Sequence, residues 1–270
     1  VSLPRPASDH TAVITGGSSG IGKAIAHELA RRGHNVALVA RSIDRLEAVA
    51  AEITGSGVRA DVLPADLSDR RARAQLVTRI RELGLVPDIL VNCAGLSTMG
   101  RAAAADPEAE IEMLEVDVVA VVDLCSRFLP GLVARGQGAV LNVASTGAFQ
   151  PLPGQAGYGA AKAFVVSYTQ SLSGELRGTG VTASVLCPGP VDTGFGEKAG
   201  FSKEDAEAAL PRVMWKSPET VARAGVEAIE KGRVVTIPGS ANRAAAFVSR
   251  LVPNRVLIPL VAKNHPALRG

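Results

Sequence analysis

The chain has 270 residues, 47% apolar, 3% aromatic and 20% charged, with a formal net charge of +3. That length and apolar fraction suit a large buried core, exclude disorder, and require no disulfide or metal for stability. The small, mixed charge and scarce aromatics exclude a nucleic-acid binder, and no apolar run reaches the roughly 18–20 residues of a membrane span.

The first ten residues, VSLPRPASDH, hold no apolar stretch of a secretory signal. Strand-like runs then follow at TAVIT (11–15), NVALVA (35–40), VRADVLPA (58–65), DILVN (88–92), AVLNVAS (139–145), VTASVLC (181–187) and RVVTIP (233–238). Helical periodicity fills roughly 20–32, 42–53, 68–83, 107–134, 155–177 and 217–231. Strands alternating with helices of this length predict βαβ units with right-handed crossovers. The expected fold is α/β, a single Rossmann-like doubly wound parallel sheet of about seven strands. No linker interrupts the series, so residues 1–239 are expected to form one dinucleotide-binding catalytic domain. Residues 240–270 form a basic, amphipathic extension of it.

Cys93, Cys125 and Cys187 are odd in number and far apart, which predicts reduced thiols in a cytoplasmic protein. The four histidines (His10, His27, His34 and His265) form no ligand pair, so no metal site is expected.

The first strand runs into TGGSSGIG (15–22), which places Gly16, Gly20 and Gly22 at a strand-to-helix turn. Glycines there let backbone N–H groups approach a pyrophosphate at the helix N-terminus, with Ser18, Ser19 and Ile21 in the same loop. The loop also satisfies the nucleophile-elbow pattern G-x-S-x-G, which would make Ser18 the nucleophile of a serine hydrolase. That reading is poor. An elbow follows several earlier strands, and the one histidine far downstream is His265, in the tail.

The end of the second strand selects the dinucleotide. A carboxylate there bonds a ribose 2′-hydroxyl, whereas an arginine favours a 2′-phosphate. The chain has Ala40, then Arg41 and Ser42, which favours NADP(H) over NAD(H).

Of only two tyrosines, Tyr158 stands four residues before Lys162 in a helical segment, on the same face. A phenol titrates near 10, so work near neutrality needs a drop of about three units, roughly 4 kcal/mol. A neighbouring ammonium and an oxidised nicotinamide attract in the right sense. Ser145 closes the fifth strand, where side chains project into the ligand crevice.

These residues together resemble the short-chain dehydrogenase/reductase family over about 10–240. TGGSSGIG resembles its T-G-x-x-x-G-x-G, Ser145 with Tyr158-x-x-x-Lys162 its catalytic set, and CPGPVDT (187–193) its P-G-x-V-x-T segment. The resemblance implies hydride transfer between a nicotinamide and a carbonyl or secondary alcohol. Tyr158 would be general acid or base, Lys162 would hold the nicotinamide ribose, and Ser145 would bind the substrate oxygen. It also implies an adenine contact at Asp66 and Leu67, a supporting turn at Asn92, Ala94 and Gly95, and a nicotinamide lining of Pro188, Gly189, Val191 and Thr193. A homodimer or homotetramer through the helices of 107–134 and 155–177 follows from the same resemblance.

Two positions depart from the family pattern. Cys93 replaces an asparagine and is expected only to pack. Asp117 falls where many members carry the asparagine of a water-linked proton relay, unless the alignment slips by one turn. On the substrate side Phe149, Phe195, Phe201, Met214 and Trp215 either line a roomy apolar pocket or cap the core. Such a pocket suits a 3-oxoacyl, steroid-like or other apolar ketone. The rival classes are the serine hydrolase and a non-catalytic dinucleotide sensor or scaffold, in which an intact Ser145, Tyr158 and Lys162 would be unnecessary.

Five of the 29 basic residues and none of the 26 acidic ones lie in 240–270. Peripheral membrane contact is one reading of that segment. Packing over its own cleft or a partner subunit is preferred, because Pro253, Pro259 and Pro266 spoil a continuous stripe.

Overall fold

Seven apolar runs too short for helices become seven parallel strands in the computed structural model, which describes residues 3–55, 57–198 and 210–268. They are β1 (His10–Thr15), β2 (Asn35–Ala40), β3 (Ala60–Pro64), β4 (Val86–Asn92), β5 (Gly138–Val143), β6 (Val181–Leu186) and β7 (Val235–Thr236). Their order in the sheet is β3-β2-β1-β4-β5-β6-β7, so the chain reverses direction of winding between β1 and β4. Ligands of such sheets bind at that reversal, beyond the strands' carboxyl ends.

Both faces of the sheet are covered, which is why its strands read as near-continuous apolar runs. Val13, Ala37 and Val39 point to one face, with Leu76 and Ile80 of α3 (Arg70–Glu82) and Val165 and Val166 of α6 (Ala156–Glu175). Ala12, Ile14, Val36 and Leu38 point to the other, against α1 (Gly20–Arg31), α2 (Ile43–Thr54) and α7 (Pro218–Glu230). Helix starts follow their caps. Asp69 accepts from Arg71 N at 2.7 Å, and Ser217 accepts from Thr220 N at 3.2 Å ahead of Pro218.

Two elements differ from the sequence expectation. The run 233–238 pairs with β6 only at Val235 and Thr236. The Arg233 amide is taken by Ala228 O at the end of α7, and Pro238 has no N–H to give. The single helix expected over 107–134 is three pieces: α4 (Pro107–Leu114), a π-turn at Glu115–Val119, and α5 (Ala120–Arg135).

The C-terminal segment forms α8 (Ser240–Leu251) and α9 (Asn254–Asn264). Ser249 Oγ donates to Phe149 O at 3.2 Å, and Asn242 Nδ2 donates to Met214 O and Pro238 O at 3.0 and 2.9 Å. The segment therefore lies on the loops that follow β5 and β6.

Candidate active site

The glycine loop leaves β1 and turns back against β4. Gly16 has φ +69°, and a methyl there would stand 2.9 Å from the Ala94 backbone. A methyl on Gly22 would collide with the Gly16 carbonyl, so the helix starts where only hydrogen fits. Ser19, the N-cap of α1, makes no side-chain cap bond, which leaves the first amides of α1 without that partner. Thr15 locks the loop to its neighbour: its Oγ1 accepts from Cys93 N and Ala94 N at 2.9 and 3.1 Å and donates to Val91 O at 3.3 Å. This glycine-only cradle at an uncapped helix start fits a dinucleotide pyrophosphate.

Arg41 is 62% exposed just past β2, and its Nη1 donates to Glu112 Oε1 at 3.1 Å. Ser42 is also exposed and makes no cap bond to α2. Asp66 is exposed past β3. Partial burial opposes its ionisation, but Ser68 N and Oγ donate to it at 2.9 and 2.8 Å and hold its carboxyl below the usual range. Leu67 is buried and offers its carbonyl to Arg73 Nη1 at 2.6 Å.

The Asn92 side chain turns into the sheet, where Nδ2 donates to Asn142 Oδ1 at 2.8 Å, and Asn142 Nδ2 donates to Thr169 Oγ1 at 2.9 Å. Burial pushes the Cys93 thiol up to about 12, so it stays protonated and inert.

Ser145 closes β5 as the cap of a short 3-10 turn, Thr146–Phe149, and its Oγ accepts from Gly147 N at 3.1 Å. That bond occupies a lone pair and leaves the hydroxyl proton to donate. Thr146 N donates to Pro188 O at 2.8 Å, which fixes the Ser145 loop against the Pro188–Thr193 segment. Thr193 faces the glycine loop: a methyl on Gly20 would come within 3.0 Å of its Cβ. Gly189 has no room for one either, because the Asn242 amide of α8 occupies the space. Val191 pairs with Lys216 in a short parallel bridge.

Tyr158 and Lys162 lie one turn apart on α6, with Lys162 Nζ 5.6 Å from the phenol ring centre. Lys162 is almost wholly buried. Its Nζ lies 2.9 Å from Asp117 Oδ2 and 3.4 Å from Val143 O. The other Asp117 oxygen accepts from Leu96 N at 2.7 Å. A methyl on Gly95 would stand 3.2 Å from Lys162 Nζ, so glycine lets the three groups close together. Asp117 therefore faces Lys162 from the π-turn between α4 and α5. Its contact with the lysine is direct, not water-linked.

The charges follow from this packing. Burial opposes the Lys162 ammonium, but the Asp117 carboxylate outweighs it and raises the pKa above the usual lysine value. For Tyr158, burial raises the pKa against the pull of Lys162 and of the Ser145 hydrogen bond, and Asp117 adds to the rise. Lys162 thus acts in the expected direction, yet the net shift is upward. The phenol keeps its proton, as a general acid must.

The expected substrate aromatics divide. The Phe195 ring lies 6.1 Å from the Tyr158 ring. Phe149 is buried in the main core cluster, with the Arg250 guanidinium 4.6 Å above its ring. Met214 and Trp215 are half-buried, and Trp215 Nε1 donates to Leu210 O at 3.3 Å. Phe201 lies outside the described residues.

The family model described as short chain dehydrogenase matches residues 10–204. The chain belongs to the short-chain dehydrogenase/reductase family. Within the family, it is similar to a short chain dehydrogenase of Pseudocercospora fijiensis, 39% identical over 77% of this chain and 69% of that one. It is also similar to a very-long-chain 3-oxoacyl-CoA reductase of Anas platyrhynchos, 31% identical over 96% of this chain and 81% of that one. Among solved structures, a short-chain dehydrogenase from Sphingobium yanoikuyae in complex with NADPH superposes with TM-score 0.78 at 34% identity, covering 88% of this chain and 92% of that one. Membership of this oxidoreductase family displaces the serine hydrolase reading of Ser18. His265, its only candidate base, pairs through Nε2 with Gln155 Oε1 at 3.2 Å.

Three supports escaped sequence reasoning. Thr15 was visible only as the first letter of the glycine motif. Gln155 Nε2 donates to Ser97 Oγ at 2.7 Å, joining the approach to α6 to the loop after β4. Arg73 is 2% exposed. It donates to Leu67 O, Ser68 O and Asp123 Oδ2 and lies 3.3 Å from Glu115, the first residue of the π-turn.

Proposed function

We propose that the chain is an NADP(H)-dependent reductase of apolar ketones, with 3-oxoacyl thioesters as the first substrate class to test. The observation that carries this reading is the Ser145, Tyr158, Lys162 and Asp117 cluster at the carboxyl end of the sheet. A bound dinucleotide supplies the hydride; the chain's own residues orient the carbonyl and move the proton. The Ser145 hydroxyl donates to the carbonyl oxygen, and Tyr158 delivers its proton as negative charge develops there. Lys162, held charged by Asp117, binds the ribose hydroxyls and steadies the tyrosinate left behind. Gly16, Gly20 and Gly22 with Ser18, Ser19 and Ile21 hold the pyrophosphate, Asp66 and Leu67 the adenine side, and Pro188 to Thr193 the nicotinamide.

Support for the phosphorylated cofactor comes from Ala40, exposed Arg41 and Ser42 after β2, and from the NADPH-bound relative. The Arg41–Glu112 pair is exposed, weak and easily exchanged for a 2′-phosphate. Apolar substrates are supported by Phe195 beside Tyr158 and by the acyl-CoA relative. Ile111, Val133 and Phe164, exposed on α4, α5 and α6, support a homo-oligomer through those helices.

The test is loss of reduced-cofactor absorbance with a panel of 3-oxoacyl thioesters and steroid ketones, using NADPH and NADH in parallel. Absence of turnover with every carbonyl would favour the sensor or scaffold reading. Arg41→Ala is expected to raise the Michaelis constant for NADPH about tenfold and leave that for NADH within about twofold. Equal effects on both would refute the phosphate role.

Asp117 also gives a pH prediction. Its carboxylate raises both the Lys162 and Tyr158 pKa values. Reduction needs the protonated phenol, so its rate falls as pH rises through the Tyr158 pKa. Asp117→Asn keeps an acceptor for Leu96 N but removes the charge, and should move that alkaline limb to lower pH. An unmoved pH–rate profile would remove Asp117 from the proton chemistry.

A further inference from the structure

The helix α8 is amphipathic in the inverted sense. Toward the body it buries Asn242, Ala246 and Ser249, spaced i, i+4, i+7. Toward solvent it turns Ala244, Phe247, Val248 and Leu251, spaced i, i+3, i+4, i+7, with Phe247 65% and Leu251 67% exposed. The next helix, α9, buries Leu257 and exposes Val256 and Leu260, spaced i, i+4 on one face. Exposed cations, Arg243, Arg255 and Lys263, accompany these residues, and 240–270 contains no acid. Large apolar side chains left exposed on a helix face beside cations mark a binding face.

The cations decide between the two apolar occupants. A second copy related by a twofold axis would set the patch against itself. Arg243, Arg255 and Lys263 would then confront like charges without a carboxylate from the segment to neutralise them. An anionic lipid surface answers both features at once, taking the apolar side chains below its headgroups and the cations among its phosphates. We propose that α8 and α9 dock the protein on an anionic membrane surface, lying on the bilayer without crossing it. No helix among the described residues is long and apolar enough to cross.

The prolines that argue against this from sequence act differently in the fold. Pro253 follows Val252, which is extended at φ −77° and ψ 126°, and there the chain turns from α8 into α9. The apolar face is divided over two short helices, so no single long stripe is needed. The segment also packs on its own domain, through Asn242 and Ser249, while its other face stays open. Self-packing and membrane contact are compatible. Arg250 is not counted among the lipid-facing cations, because its guanidinium covers Phe149.

The experiment is flotation of the full chain with vesicles of phosphatidylcholine containing about one-third phosphatidylglycerol, against phosphatidylcholine alone. The wild type is expected to float with the anionic vesicles, less at high salt. The F247S/L251S pair should lower the partition by about tenfold or more, and R243Q/R255Q by roughly tenfold on anionic vesicles only. Sedimentation velocity and melting temperature of both variants should match the wild type. Wild-type protein remaining in the load with both vesicle types overturns the proposal. So does F247S/L251S splitting a larger species into smaller ones, which would assign the patch to a second copy.

Discussion

Tyr158→Phe is expected to lower kcat/KM for carbonyl reduction by about 10³-fold, roughly 4 kcal/mol of barrier, with dinucleotide affinity within about twofold of wild type. The loss is chemical because phenylalanine keeps the ring beside Phe195 and Lys162 and removes only the hydroxyl. No other described side chain at this position offers a proton of suitable acidity. The Cys93 thiol is pushed up to about 12, and Lys162 is pinned to Asp117. Single-turnover absorbance with NADPH and a fluorescence titration of cofactor binding separate the two effects. If the variant reduces carbonyls at the wild-type rate, Tyr158 is not the acid.

Arg73→Leu should cost about 2–4 kcal/mol of stability, because it removes the buried guanidinium from half-buried carboxylates and from two backbone carbonyls. Leucine fills the space but leaves the Leu67 and Ser68 carbonyls without the guanidinium donor, and Asp123 without one of its two arginines. Burial opposes the Asp123 charge, yet hydrogen bonds from Arg73 and Arg127 hold its carboxyl below the usual range. A depressed folded-state pKa contributes stability above the unfolded value that is lost as pH falls through the folded one. The variant should therefore melt roughly 10 °C lower at neutral pH, and the gap should narrow in acid. Thermal melts at several pH values test this. A gap that is constant down to acid pH would refute the Asp123 linkage. Because the same arginine grips the loop after β3, the Michaelis constant for the dinucleotide should rise as well.

These residues show what sequence could and could not carry. The strands were legible because burial on both faces leaves uninterrupted apolar runs, and the glycine loop because its steric demand admits only one residue type. Tyr158 and Lys162 were legible because four residues make about one helical turn. Arg73 was not. It sits in RRARAQLVTRIRE, where an arginine reads as part of a solvated face, and its partner Asp123 lies 50 positions away. The inverted face of α8 was equally hidden, since periodicity reveals that a helix has two faces but not which one meets the body. The Asn92–Asn142–Thr169 chain joins a strand end, a neighbouring strand and a helix, and each of its residues looks ordinary alone.

The π-turn at Glu115–Val119 has a mechanical meaning. There the amide of Ala120 bonds back to the Glu115 carbonyl, five residues earlier. Each residue advances a helix by about 100°, so one extra residue rotates everything downstream by that angle. In an uninterrupted helix, aiming Asp117 at Lys162 and laying Leu124, Cys125 and Phe128 on the sheet would share a single phase. The extra residue works as a phase slip between them. The bearing of the carboxylate is set within it and the seating of the core helix beyond it. Either can be retuned by substitution without turning its neighbour out of register.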